Sequence, residues 1–218
     1  MFKDRRDAGQ QLARKLEPYR VEDPVVLAVP RGGVEVGYQV AKYLDADFSL
    51  LIARKLPYPD QPEAGFGAVA ENGSAVIVEG ARRWVSEETI KETIQEQRQE
   101  IVRRAAVLRE GEPLPDLEGR TVILVDDGIA MGSTMRAATK CCRHEKAGKV
   151  VVAVPVASRE VAEQLGGERD APVDEIVVLE QPRFFRAVAQ VYERWYDVPD
   201  SEVVAIMKRW RAERRPSE

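Results

Sequence analysis

The sequence has few of the residues that build disulfide frameworks or zinc sites. Its only cysteines, Cys141 and Cys142, are adjacent and cannot join distant segments, and His144 is its only histidine. This set offers none of the ligand spacings that zinc sites require. We interpret the two cysteines as small side chains on a helix, and we predict no metal site formed by protein side chains alone.

Long apolar runs and an excess of one charge are also missing. Residues 1–16 mix charges with scattered apolar side chains, unlike a signal peptide, and no stretch approaches the ~20 apolar residues of a membrane-spanning helix. The 33 basic and 37 acidic side chains nearly cancel, to a net charge of −4. These absences argue against nucleic-acid binding through bulk charge and predict a cytoplasmic protein without membrane contact. They leave room for a local basic pocket.

The sequence does contain short apolar runs that alternate with helical patterns over its 218 residues, of which 44% are apolar. This alternation predicts an α/β fold, a doubly wound and mainly parallel sheet flanked by helices, in one domain over residues 1–218. The predicted strands are 25–29, 48–53, 121–125, 150–156 and 176–179. The predicted helices are 4–17, 36–44, 87–109, 133–146, 158–165 and 200–214, the last capped by Asp200 or Ser201.

The middle of the chain interrupts this alternation. Residues 56–65, LPYPDQPEAG, are dense in proline and predict a loop, followed by a hairpin of 66–70 and 75–78. Asn72 and Gly73 between those strands are typical of a type I′ turn. The charged helix 87–109, with Ser86 as its N-cap, then forms a helical insertion over 80–110 that we expect to pack on one side of the sheet.

The most informative segment is TVILVDDGIAMGST, residues 121–134. A buried strand ends in Asp126 and Asp127, at the edge of an α/β sheet where ligands bind. Adjacent carboxylates repel each other, so the pair needs a compensating partner such as a metal ion or sugar hydroxyls. An ordinary turn with Asp127 as a cap is the plainer alternative. A response-regulator receiver also has an acid pair, but near its N-terminus and without such a loop.

A loop of small residues follows the acids and opens a helix. Backbone N–H groups over 130–134 would point outward at the helix N-terminus, which is a binding site for phosphate. Ser133 and Thr134 can add hydroxyl donors, and Gly132 lets an anion approach the backbone. Strand, acid pair and small-residue loop together favour a phosphate-binding site over a simple turn.

On these residues the sequence resembles the type I phosphoribosyltransferases, whose motif has four apolar residues, two acids and a loop that ends in Gly-Ser-Thr. The resemblance implies that Asp126 and Asp127 hold the ribose hydroxyls of phosphoribosyl diphosphate. It also implies that the 5-phosphate is wrapped by Gly128, Ala130, Met131, Gly132, Ser133 and Thr134. Gly128 and Met131 depart from the commonest pattern, since many members have an apolar residue and a threonine there. The segments DRRDAG, PRGGV, RK and GAVAE extend the resemblance over nearly the full chain, to a little-characterised bacterial and archaeal branch, and imply a small C-terminal hood and helix over 181–218.

The resemblance also implies a ligand-binding role for two further segments. The loop after the first strand, with Arg31, Gly32 and Gly33, would bind pyrophosphate through a forked cation and a close backbone approach. Arg54 and Lys55, at the end of the next strand, would face the same crevice, and the loop 56–65 could close over it as a lid. A solvated surface loop is the alternative for this pair. Arg31 and Lys55 join the two aspartates as candidate catalytic residues.

The implied reaction transfers ribose 5-phosphate to a small nitrogenous acceptor and releases pyrophosphate, with Mg²⁺ bound mainly through phosphoribosyl diphosphate. In hypoxanthine-guanine enzymes an aspartate of the loop sits near the purine, but Ala130 stands there in this chain. A regulatory protein that binds phosphoribosyl diphosphate without turnover therefore remains an alternative, as does a phosphatase or nucleotide hydrolase. The aromatic stretch 183–197 could stack on a base, although core or subunit contact is the favoured interpretation. A homodimer is the common expectation.

Overall fold

The computed structural model describes residues 1–167 and 172–214. Within these ranges the strands, in chain order, are β1 (Val25–Ala28), β2 (Asp47–Leu50), β3 (Ala53–Tyr58), β4 (Gln61–Ala70), β5 (Ala75–Ile77), β6 (Thr121–Val125), β7 (Lys149–Val156) and β8 (Glu175–Glu180). The α-helices are α1 (Arg5–Lys15), α2 (Gly33–Leu44), α3 (Glu87–Leu108), α4 (Ser133–His144), α5 (Arg159–Gly166) and α6 (Asp200–Arg214). α6 already includes Asp200, so neither predicted cap precedes it.

Five strands form the main sheet in the order β2-β1-β6-β7-β8, and all neighbours are parallel. The predicted α/β fold with a mainly parallel sheet is therefore confirmed. Every residue of β1 is buried because helices cover both faces of the sheet. α1, α2 and α6 pack on one face, where Val26 and Ile123 point, and α4 packs on the other, where Leu27 and Leu124 point.

The loop predicted over 56–65 is wrong, because most of that segment lies in β3 and β4 of a second, antiparallel sheet in the order β3-β4-β5. The predicted strand 48–53 correspondingly divides between β2 and the start of β3. Pro57 lies on the edge strand β3, where the pairing register shifts and a missing N–H is tolerated. Leu56 and Phe66 are fully buried and hold the two strands together. Pro59 lies in the turn that joins β3 to β4, so these two prolines occupy positions that a sheet accepts.

The turn between β4 and β5 confirms the predicted hairpin but not its predicted turn type. Gly73 has a φ of +89°, whereas Asn72 does not adopt a positive φ, as a type I′ turn would require. The Gly73 N–H donates to the Ala70 carbonyl at 2.9 Å, so a type I turn is followed by a bulge at Gly73. The Asn72 side chain accepts from the Ser74 N–H at 3.0 Å and donates to Glu145 at 2.8 Å, which ties the turn to α4.

The predicted helix 87–109 is present as α3, and Ser86 caps it as predicted by accepting a hydrogen bond from the Thr89 N–H at 3.1 Å. Most of its apolar stripe, which includes the buried Ile90 and Ile101, packs on the small sheet, whereas Leu108 at its end joins the core of the main sheet. α3 is 22 residues long, which is enough to span a bilayer, but it is too polar to do so. Every other helix in the described ranges is either too short or too polar to cross a membrane.

A buried ion pair joins the two sheets to the end of α3. The Arg109 guanidinium donates to both carboxylate oxygens of Glu71, at 3.0 and 2.5 Å, and to the Leu50 carbonyl at 2.8 Å. Glu71 also accepts from the Ile52 N–H at 3.0 Å. The two side chains are only 4% and 12% exposed, so each charge relies on the other for its compensation.

We predict that Glu71→Ala lowers the free energy of unfolding by about 3–5 kcal/mol, because it leaves the buried Arg109 charge without a partner. Chemical denaturation followed by circular dichroism measures this change. Glu163→Ala, which breaks the exposed pair with Arg159, is the control and should change stability by no more than about 0.5 kcal/mol. Equal losses in both variants would contradict the role of the buried pair.

Candidate functional site

The site lies where β1 and β6 end side by side at the carboxyl edge of the main sheet. Ala28 is paired with Val125, and the Val29 N–H donates to the Val125 carbonyl at 2.9 Å. The loop over 30–33 and the acid pair at the end of β6 are therefore direct neighbours. The sequence predicted both as parts of one site, and the parallel pairing explains why they meet.

The two acids of the pair have different surroundings. The Asp126 carboxylate is half-buried and lines a cavity on the sheet edge. Asp127 points inward, where its Oδ2 accepts from Arg5 Nε at 2.8 Å and its backbone carbonyl accepts from the Tyr192 hydroxyl at 2.7 Å. Only Asp126 is thus available to a ligand in this geometry, and the ribose-binding role predicted for it stays a prediction.

The electrostatics of the pair follow from this packing. Burial and the neighbouring charge of Asp127 raise the pKa of Asp126 well above its usual range. Burial also raises the pKa of Asp127, although the Arg5 guanidinium opposes that rise. Hydroxyl groups that donate to Asp126 would favour its charged form, so the carboxylate is suited to accept hydrogen bonds from a sugar.

Arg5 was not identified as a site residue from the sequence, although it lies in the DRRDAG segment. Its side chain is 6% exposed, donates to the Tyr196 carbonyl at 3.0 Å, and lies 4.0 Å from the centroid of the Trp195 ring. The aromatic stretch 183–197 therefore encloses this cation. Tyr192 is buried, as the core interpretation predicts, whereas Phe184 is 84% exposed. Residues 215–218 of the predicted hood lie outside the described residues.

Glycines let the loop after β1 pack directly on the acid pair. A Cβ at Gly32 would lie 1.8 Å from Asp127 Oδ2, and one at Gly33 would lie 2.8 Å from the Asp126 Cα. The two glycines thus make room for the acids, in addition to any room they leave for a phosphate. Arg31, the predicted pyrophosphate ligand of this loop, does not line the cavity; its guanidinium lies 3.7 Å from Asp200 in α6.

The loop over 128–132 leads from the acids to the N-terminus of α4. Gly128 has no room for a side chain, since a Cβ there would lie 2.6 Å from Val156 and from Val188. The Ile129 N–H donates to the Val156 carbonyl at 2.8 Å and fixes the start of the loop, and Gly132 ends it with a φ of +81°. Ala130 and Met131 between them are exposed.

The first turn of α4 presents donors toward this loop. Ser133 and Thr134 are half-buried in that turn, and no side chain caps the helix at Gly132. Backbone N–H groups at a helix start have no carbonyl partner within the helix, and the helix dipole adds positive charge there. The predicted phosphate loop thus has the geometry of an anion site.

Two adjacent cavities lie between these parts and share some of their lining residues, and we refer to them as the two lobes of one two-lobed cavity. The smaller lobe, of about 230 Å³, is bounded by the loop 128–134 and by Glu63 and Gly65 of the hairpin. The larger lobe, of about 480 Å³, is bounded by Pro30, Arg54 and Arg104 among others. The lobes share the residues Lys55, Asp126 and Thr134.

The hairpin β3–β4 carries both cations that the sequence predicted for this crevice. Lys55 Nζ donates to the Glu63 carbonyl at 2.6 Å, and Arg54 Nε donates to Gln97 of α3 at 2.7 Å. Burial, followed by the nearby charge of Arg104, lowers the pKa of Arg54. The residues of α3 at this lobe escaped the sequence analysis, because on a highly charged helix they look like an ordinary solvated face.

A third cavity, of about 840 Å³, lies beside the loop over 128–132 and the start of α4. It borders the loop at Ala130, Met131 and Ser133, and Phe185 of the aromatic stretch forms part of its far wall. Three arginines and a glutamate also line it, so both polar and flat apolar surfaces face this space. In the described ranges, no three His, Cys, Asp or Glu side chains converge as a metal-ligand set.

We predict that Gly32→Ala lowers stability by about 1–3 kcal/mol, because the added methyl group overlaps the Asp127 carboxylate. Gly32 has φ −62° and ψ −34°, which alanine adopts readily, so the steric overlap is the only penalty. Thermal denaturation measures the loss. Gly166→Ala in α5 meets only Ile176, at 3.7 Å, and as a control should leave stability unchanged or raise it by about 0.4–1 kcal/mol.

We predict that Arg5→Met lowers stability by about 3–5 kcal/mol at neutral pH, because Asp127 loses the cation that compensates its buried charge. A carboxyl group whose pKa is raised in the folded state binds more protons when folded, so its unfavourable effect grows as pH rises and fades as pH falls. The difference in the free energy of unfolding between variant and wild type should therefore become smaller as the pH falls. Urea titrations across pH measure it, with the exposed Arg6→Met as control; a gap that widens in acid would refute this account.

Comparisons with known proteins agree on one family. A family model described as a phosphoribosyl transferase domain matches residues 2–191. Two Mycobacterium tuberculosis proteins, from strains CDC 1551 and H37Rv and each named "Putative phosphoribosyl transferase", are 40% identical over 211 residues, which cover 96% of this chain and 47% of theirs. The chain thus spans about half the length of these curated relatives. The crystal structure of TT1426 from Thermus thermophilus has a TM-score of 0.81 at 40% identity, covering 96% of this chain and 99% of that one.

Proposed function

This chain belongs to the phosphoribosyl transferase family, and from that premise we propose that it binds phosphoribosyl diphosphate and transfers ribose 5-phosphate to a nitrogenous base or related acceptor, releasing pyrophosphate. The observation that carries the proposal is the two-lobed cavity, whose lobes meet at Asp126. One lobe ends at a helix N-terminus and the other among cations, which suits a ligand with a phosphate at one end and a diphosphate at the other.

The smaller lobe is proposed to take the 5-phosphate. Backbone N–H groups of the loop and the first turn of α4 would donate to its oxygens, and the hydroxyls of Ser133 and Thr134 would add two donors. The side chains of Ala130 and Met131 are exposed and carry no donor, so at these positions only the backbone N–H groups would bind the phosphate. Such a site tolerates the departure at Met131 because its donors do not depend on the side chain.

The larger lobe is proposed to take the diphosphate, beside Arg54 and Lys55. The ribose would then lie at the junction, with its hydroxyls within reach of the Asp126 carboxylate. When the C1–O bond breaks, positive charge develops on the sugar and negative charge on the leaving pyrophosphate. Lys55, which lines both lobes, would stabilise the pyrophosphate, and Asp126 would hold the ribose for attack by the acceptor nitrogen with inversion at C1.

Mg²⁺ is proposed as the cofactor, bound mainly through the ligand. The donor set fits this arrangement: Asp126 offers hard oxygen ligation at the junction, and the described residues form no complete protein ligand set. A bound Mg²⁺ would neutralise charge on the pyrophosphate oxygens. Arg54 and Lys55 act on the same charge from the protein side.

The acceptor is proposed to enter through the 840 Å³ cavity beside the phosphate loop. Phe185 offers a flat apolar surface to an aromatic ring there, and the cavity reaches the loop at Ala130. Because Ala130 cannot exchange a proton, this loop position contributes no general base. An acceptor whose attacking nitrogen needs no deprotonation by the loop is therefore favoured.

We predict that Mg²⁺ with phosphoribosyl diphosphate, at about one hundred times its dissociation constant, stabilises the protein by roughly 2.7 kcal/mol in a thermal-shift experiment. Asp126→Asn should abolish most of this shift, because the carboxylate at the junction of the lobes is lost. Asp116→Asn, at an exposed position away from the cavity, should keep it. No shift in the wild-type protein would overturn the proposal.

Turnover is tested separately by pyrophosphate release over a panel of purine, pyrimidine and other nitrogenous acceptors. Release that depends on one acceptor supports the transferase. Ligand-induced stabilisation without release for any acceptor would favour a regulatory protein that senses phosphoribosyl diphosphate. Release of orthophosphate in place of pyrophosphate would identify a hydrolase.

A further inference from the structure

We propose that α3 forms one wall of the diphosphate site and that Arg104 binds the diphosphate directly. This inference rests on the proposed function and extends it to the helical insertion, which lies outside the motif of the phosphate loop. Arg104 lines the larger lobe together with Arg54 and Lys55, so three cations from two elements surround the same space.

The charges at this wall are unbalanced in favour of the cations. Three guanidinium groups converge on the single carboxylate of Glu100: Arg103 at 2.7 Å, Arg104 at 3.1 Å and Arg54 at 3.7 Å. Arg103 does not line the larger lobe, whereas Arg54, Lys55 and Arg104 do. Of the described residues that line this lobe, only Asp126 is acidic, so these three cations outnumber Asp126 and Glu100 by one. An anionic ligand would balance this surplus.

The surplus is directed at the cavity and not at bulk water. The Arg103 side chain is 56% exposed and lies outside the cavity wall, whereas Arg104 is 22% exposed and Arg54 27%. Two guanidinium groups withdrawn from solvent repel each other, which agrees with the lowered pKa of Arg54. Arginine presents a planar fork of donors that matches phosphate oxygens, so both groups are suited to a diphosphate.

Glu100 completes the arrangement as a positioning residue. It accepts hydrogen bonds from Arg103 and Arg104, and this holds its pKa at about 2, so it stays charged at any pH near neutrality. Gln97, one turn earlier, accepts from Arg54 Nε and fixes that side chain from the same helix. The diphosphate wall is therefore prepared by side chains of α3 spaced along one face.

The chain offers a matched pair of variants for the test. Arg103 and Arg104 are adjacent, both bond to Glu100, and only Arg104 faces the cavity. Isothermal titration of the full chain with inorganic pyrophosphate and Mg²⁺, and separately with ribose 5-phosphate, compares the two lobes. Arg104→Ala should weaken pyrophosphate binding by about tenfold or more. Ribose 5-phosphate binding should stay within about twofold of wild type, and Arg103→Ala should leave both ligands within that range.

A second variant distinguishes the loss of a direct contact with pyrophosphate from a structural effect of the alanine substitution. Arg104→Gln keeps most of the side chain and a hydrogen-bond donor, and it should show the same selective loss for pyrophosphate. Equal pyrophosphate affinity in wild type and both Arg104 variants would overturn this inference while leaving the proposed function intact, and so would a parallel loss for both ligands. If the wild-type protein binds neither pyrophosphate nor phosphoribosyl diphosphate, the proposed function fails together with this inference.

Discussion

The ion pair between Arg5 and Asp127 is the interaction on which the arrangement of the site depends. It joins the first turn of α1 to the end of β6, across 122 residues of sequence. Because both groups are nearly excluded from water, neither charge is tolerated without the other. The pair fixes the Asp127 carboxylate against Gly32, and the loops after β1 and β6 meet at that contact.

A division of tasks around the sheet edge follows from this constraint. Asp127 is committed to the interior, so Asp126 alone is left to face a ligand. The cavity then extends in two directions from Asp126, toward the helix start at Ser133 and toward the hairpin at Lys55. Elements that are distant in the chain therefore contribute to one small volume, and the main sheet serves as their common support.

Much of the fold was predictable because its causes are local. Apolar runs such as 121–125 are long enough for a buried strand and too short for a helix, and their alternation with helical patterns determines the parallel sheet. The course of the loop 128–134 was predictable for the same reason, since a tight passage from a strand into a helix start depends on small residues next to each other; its phosphate-binding role stays a prediction. The hairpin over 53–70 was missed because proline predicts a break unless its position on an edge strand is known.

The parts of the site that escaped the sequence analysis all depend on side chains that meet across the fold. Arg5 and Arg104 belong to helices whose charged residues look alike in sequence, and only their packing separates them from Arg6 and Arg103. Arg31 shows the opposite case, because its loop was correctly placed while its side chain turns toward Asp200. A motif therefore locates the backbone of a site more securely than the direction of its charged side chains.

Gly128 shows how such packing constrains the way this chain can vary. Its Cα faces Val156 at the end of β7 and Val188 in the aromatic segment, and these two valines fill the space that a side chain at position 128 would need. A larger residue at 128 therefore requires smaller residues at both 156 and 188. Among relatives of this chain, we expect side-chain size to covary at these three positions, which are far apart in sequence, because they share one packed space.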